Sequence, residues 1–108
     1  MILEEYCKSL QELIDKHENI YTRIAPTFIW LYTMNSKPVG AIEVMPFGGS
    51  KGLSFIDKEN GVMTGCCVPV TFPLNTIKEE KIKEVFKKKI ISVNGGSRFG
   101  FLEIYLED

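Results

Sequence analysis

The sequence predicts an α+β fold: a two-layer sandwich with a mainly antiparallel sheet of about five strands and two helices on one face, in the order α-β-β-β-β-α-β. Three observations predict it. Two segments, one at each end of the chain, carry apolar residues at helical spacing. The stretch between them alternates at period two and is broken by hairpin turn chemistry. A last alternating segment follows the second helical one, so residues 76–106 can act as a helical crossover that places the final strand within the sheet.

The first helix rests on Leu3, Tyr6, Cys7, Leu10, Leu13, Ile14 and His17, which form one apolar stripe. Glu4 and Glu5 fall in its first turn, where the helix dipole favours negative charge. Asn19 terminates it and Pro26 closes the connection. Residues 27–34 are the clearest strand, with Phe28, Trp30 and Tyr32 on one side and Thr27, Ile29, Leu31 and Thr33 on the other. The aromatic side is the more hydrophobic, so it is expected to lie under the helices. Asn35-Ser36-Lys37-Pro38 is a turn, and residues 39–45 return as a second strand, making 27–45 a hairpin.

A short strand over 53–56 leads to Asp57-Lys58-Glu59-Asn60-Gly61, whose Asn-Gly favours positive φ. The return strand spans 62–72, and Gly65 and Pro69 mark it as bulged or at an edge. The second helix is expected over 76–90. Thr76 and Glu79 have capping-box spacing, and Ile77, Ile82, Val85, Phe86 and Ile90 form its buried stripe. Residues 99–106 alternate Leu102, Ile104 and Leu106 against Phe101, Glu103 and Tyr105, and form the closing strand.

The chain has 108 residues, the size of one domain, with 44% hydrophobic and 25% charged residues as in ordinary soluble proteins. A net charge of −1 provides no field that would gather nucleic acid or an anionic membrane. No apolar run approaches the roughly 20 residues that span a bilayer. The acidic start Met1-Ile2-Leu3-Glu4-Glu5 lacks the basic region of a secretory signal, so a cytoplasmic location is expected. Cys7, Cys66 and Cys67 contain no Cys-x-x-Cys and no zinc-ligand spacing with a histidine. Reduced thiols used as small apolar residues fit that compartment, and no metal or cofactor is implied.

The sharpest motif is a near-duplicate pair of loops, Gly48-Gly49-Ser50-Lys51-Gly52 and Gly95-Gly96-Ser97-Arg98-Phe99-Gly100. Glycines let the backbone approach a ligand closely, and Ser50, Lys51, Ser97 and Arg98 add hydroxyls and cations. Converging, the loops would hold a phosphate, a carboxylate or an acidic side chain, with Arg98 available for a planar two-point contact. The same strings also make ordinary tight turns. Neither is a Walker A motif, because serine precedes the basic residue and a strand follows.

Other candidates point to no reaction. His17 as a base would need a nucleophile such as Cys66 or Cys67 and an orienting carboxylate, and cysteines within a valine-rich strand usually serve packing. No paired carboxylates stand out for acid–base work; Glu43 and Glu103 are the strand-interior acids, expected to face solvent or to accept from Arg98 or Arg23. Phe28, Trp30 and Tyr32, if exposed, would make a stacking platform for bases, but the RNP consensus is absent. The segment from Thr76 to Ile90 has six lysines and three glutamates, whereas the first helix and the C-terminus are acidic. Segregated charge of this kind steers partners.

The expected function is a non-enzymatic protein-binding module, in its concrete form a small immunity or inhibitor protein that neutralises a cognate toxin or enzyme. Ser50, Lys51, Ser97, Arg98 and Phe99 are its expected contact residues. The alternative is a phosphate- or carboxylate-binding protein or enzyme using the two loops. Nucleic acid is disfavoured, no membrane partner is expected, and an edge strand is free to pair with a second copy.

Overall fold

The computed structural model describes residues 1–16, 28–35, 37–44, 52–59, 62–74, 77–96 and 101–108; of 58, 59, 62–67, 96 and 101 it describes the backbone only. The elements are α1 (Leu3–Lys16), β1 (Phe28–Thr33), β2 (Pro38–Val44), β3 (Leu53–Glu59), β4 (Val62–Val70), α2 (Glu80–Lys87), β5 (Ile90–Gly96) and β6 (Phe101–Leu106). The strands form one sheet in the order β4-β3-β2-β1-β6-β5. Every neighbouring pair is antiparallel except β1 and β6, which run parallel. The α+β class, the mainly antiparallel sheet and the two helices on one face are therefore as expected, and the crossover places β6 inside the sheet.

The sheet has six strands rather than about five, because residues 90–96 form β5. The second helix is correspondingly short. It starts at Glu80, and Glu79 occupies the N-cap position with no side-chain hydrogen bond, so Glu79 is not the third residue of a capping box. It stops at Lys87 because the chain beyond is pulled into extended structure by the N-terminus. The Leu3 N–H donates to Lys88 O at 3.0 Å and the Ile90 N–H to Met1 O at 2.9 Å. Glu107 secures the other side: the Lys89 N–H donates to its Oε1 at 3.0 Å, and its own N–H donates to Lys89 O at 3.0 Å. Both termini thus fasten the turn from α2 into β5. Strand β3 runs on through Asp57, Lys58 and Glu59, and β4 ends at Val70. At the β4 edge the register steps from Ile56↔Cys67 to Lys58↔Met63, leaving extra residues in β4 around Gly65.

The core lies between the helices and one sheet face. Paired residues in adjacent strands point the same way, so Ile29, Ile42, Phe55 and Val68 form one row across four strands. Leu31 with Ile104, and Val44 with Leu53 and Val70, form the neighbouring rows. Onto these pack Leu3, Cys7, Leu10 and Ile14 of α1 and Ile82, Val85 and Phe86 of α2, together with Ile77 ahead of α2. The rings of Phe55 and Phe86 meet at 5.8 Å, tilted by 57°, and join β3 to α2. Gly40 makes room for this contact: a Cβ there would stand 2.9 Å from Phe55 Cζ and 2.7 Å from the Ile56 carbonyl oxygen. Leu13, expected in the α1 stripe, is exposed, and Tyr6 packs at the margin of the core.

The expected orientation of β1 is reversed. Ile29 and Leu31 are fully buried beneath the helices, whereas Phe28, Trp30 and Tyr32 are half-buried on the opposite face. The aliphatic side fits the row with Ile42, Phe55 and Ile104. The aromatic side shares its rows with Glu43 and Glu103, whose carboxylates are costly to place under a helix.

Candidate functional site

The outer sheet face is built by alternation along β1, β2 and β6. Phe28, Trp30 and Tyr32 follow one another down β1. On one side Glu43 registers with Phe28 and Ala41 with Trp30; on the other Glu103 registers with Trp30 and Tyr105 with Tyr32. The Phe28 and Trp30 rings stack at 5.7 Å with an interplanar angle of 24°. Tyr32 and Tyr105 stack across the parallel pair at 5.3 Å and 22°. Ala41, Ile56 and Ser54 are buried in the neighbouring positions of this face. No described helix packs over it, since both lie on the other side.

Its electrostatics are one-sided. Among the described side chains of this face the charged ones are Glu43 and Glu103, with no lysine or arginine between them. Burial raises the Tyr32 phenol above its ordinary value, and the Glu103 carboxylate and Tyr105 beside it raise it further. Ring faces carry negative quadrupole density, so rings and carboxylates together attract cations and repel phosphates. The face can therefore receive lysine or arginine side chains together with apolar surface. Among its described side chains there is no cation of the kind with which a base-stacking platform holds a phosphate backbone.

Ser50, Lys51, Ser97, Arg98 and Phe99 lie outside the described residues, as do His17, Arg23 and the side chains of Cys66 and Cys67. The strand ends that bracket the two glycine loops are described. Val44 pairs with Leu53 and Gly96 pairs with Phe101, while Phe28 registers with both Glu43 and Phe101. Both pairs of ends thus lie at the Phe28 end of the sheet. They sit on opposite sides of β1, and two strand spacings set β2 and β6 about 9–10 Å apart. Gly95, expected within the second loop, is part of β5 with a φ of 154°.

Cys7 is a free thiol on the buried side of α1, and that burial pushes its pKa far up, leaving it neutral. No group of three or more His, Cys, Asp or Glu residues among the described residues is arranged to hold a metal ion. No helix among them is long and apolar enough to cross a membrane. The aromatic row of β1 was legible in the sequence, but its grouping with Glu43, Glu103 and Tyr105 was not, because β6 lies some seventy residues from β1 in the chain. Their shared signal is Glu43 and Glu103, two acids inside otherwise apolar strands.

These features define a two-layer α+β protein with helices on one sheet face and an aromatic, acidic opposite face. Compared with known protein families, curated proteins and solved structures, the chain matches none.

Proposed function

We propose that the protein is a non-enzymatic protein-binding module whose partner seats on the outer sheet face through a basic, partly apolar surface. One observation carries this reading. The stacked pairs Phe28–Trp30 and Tyr32–Tyr105 flank Glu43 and Glu103 on a face that no described helix covers. Aromatic rings are the commonest anchors of protein interfaces, and carboxylates among them select a cationic partner. In its concrete form the module is a small cytoplasmic inhibitor or immunity protein that neutralises a toxin or enzyme bearing such a surface. The glycine-loop residues Ser50, Lys51, Ser97, Arg98 and Phe99 belong to segments bracketed by strand ends beside Phe28.

A second reading has one observation in its favour. The loop-bracketing strand ends share one end of the sheet, as a phosphate or carboxylate site formed between Ser50, Lys51, Ser97 and Arg98 requires.

The test is capture of partners from lysate of the source organism by the tagged protein, with Glu103→Lys and Arg98→Glu as controls. A single stoichiometric basic protein lost with Glu103→Lys supports the outer-face reading. A partner retained by Glu103→Lys and lost with Arg98→Glu moves the interface to the loops. Capture of nothing, with thermal stabilisation by inorganic phosphate or a dicarboxylate, favours the ligand reading.

A further inference from the structure

The two edges of the sheet are treated differently. Strand β4, at one edge, carries the exposed Pro69 and a register irregularity, both of which hinder another strand from docking. Strand β5, at the other, carries no proline, and its described register is regular from Ser92 onward. Ile91, Ser92, Val93, Asn94 and Gly95 are all exposed, and Ile91 and Val93 stand 47% and 48% exposed. The seven residues of β5, Ile90–Gly96, contain no charge and no proline. Its one irregularity lies at the start, between Ile90 and Ser92, so the paired stretch from Ser92 onward is regular.

Val93 registers with Ile104 and so belongs to the core face of the sheet, yet the helices do not reach over it. An apolar core-face residue on an edge strand is left half in water, where its burial would contribute to association.

We infer that β5 is a strand-pairing edge and that its occupant is a second copy of this chain, joined antiparallel about a two-fold axis. Such pairing continues the sheet across both protomers through the β5 edge. The strand's neutrality favours the identical partner. It offers no charge with which to select a different chain, and meeting itself it suffers no like-charge repulsion. The pairing closes, because each copy uses its β5 edge and leaves the Pro69 edge outermost. A seven-residue edge buries less than the roughly 1,000 Å² of a tight dimer, so the association is weak and exchanges rapidly.

Sedimentation velocity of the purified protein, from micromolar to near-millimolar concentration, tests this. The expected result is a weight-average mass rising with concentration from 12.3 kDa towards twice that value and no further. Val93→Lys and Ile91→Lys should stay at the monomer mass with unchanged circular dichroism, because both side chains are already half in solvent. Amide exchange at Ser92–Gly95 should slow with concentration in the wild type alone. A wild type that remains monomeric throughout, growth beyond the dimer, or lysine variants that associate like the wild type would each overturn the inference. Loss of association with Trp30→Ser but not with Val93→Lys would do so too, by moving the contact to the outer face.

Discussion

Gly40→Ala should destabilise the protein by about 2 kcal/mol, from a typical overpacking cost of ~1–3 kcal/mol at a site with no room to relax. The added Cβ would stand 2.7 Å from the Ile56 carbonyl oxygen and 2.9 Å from Phe55 Cζ. The oxygen belongs to β3 and moves only with the strand; the ring is held against Phe86. The loss of unfolded-state entropy on replacing glycine returns only ~0.4–1 kcal/mol. Gly52→Ala is the internal control. A Cβ there meets nothing within 4 Å, so the entropic gain stands alone and the variant should match or slightly exceed the wild type. Urea denaturation followed by circular dichroism, and by the fluorescence of the single tryptophan, measures both. The expected loss for Gly40→Ala corresponds to a Tm lower by roughly 8 °C, at ~4 °C per kcal/mol for a chain of this size. Phe55→Leu made in the Gly40→Ala background should cost less than in the wild type, with a coupling of about 1 kcal/mol between the two sites. A Gly40→Ala protein as stable as the wild type would refute the close approach of Phe55 and the Ile56 carbonyl.

Three further outcomes are expected. Phe86→Ala removes a fully buried ring and should cost about 3–5 kcal/mol by urea denaturation, whereas Leu13→Ala, at an exposed position of the same helical layer, should change stability by under ~1 kcal/mol. The Cys7 thiol, ordinarily ionising near 9.0, is held neutral by burial while the unfolded chain releases its proton. Its contribution to stability is complete below the unfolded pKa and falls as pH rises above it, by up to about 1.4 kcal/mol per pH unit; the stability difference between wild type and Cys7→Ala should be flat below about pH 8 and narrow above 9, and a difference constant to pH 10.5 would contradict it. Glu103→Gln should lower the Tyr32 pKa without returning it to the ordinary phenol value, because burial is the larger cause and the carboxylate the next; the difference between ultraviolet titrations made with and without Tyr32→Phe isolates this phenol from the other three tyrosines.

Much of the fold was legible in local pattern. The α1 stripe needs only helical spacing, and the helix runs through Leu3, Cys7, Leu10 and Ile14 as that spacing requires. The β1–β2 hairpin follows from alternation on either side of turn chemistry at residues 35–38, and the Lys37 N–H donates to Thr33 Oγ1 at 3.2 Å within that turn. The edge position of β4 was readable from Gly65 and Pro69. Strand β5 was not, because its Ile90 fits the stripe of the preceding helix and its glycines read as a loop. The helix stops short because Met1 and Leu3 bond the backbone at Lys88 and Ile90, across more than eighty residues of chain. The glycine-loop candidates remain the ones chosen from sequence, and what tertiary structure adds is that the strand ends around them share one end of the sheet.

The sequence by itself determined the class of the protein, the place of most elements and the two faces of β1 and β6, since all of these follow from periodicities of 3.6 and 2 along a local stretch. Which face of β1 became the core was decided only in the assembled sheet. Period two separates Trp30 from Leu31 but does not say which of them meets a helix. That choice was made by neighbours in register: Ile42, Phe55 and Ile104 extend the Ile29–Leu31 side into an uncharged apolar surface that the helices can cover. Glu43 and Glu103 join the aromatic side, and the cost of burying two carboxylates kept Phe28, Trp30 and Tyr32 on the outer face.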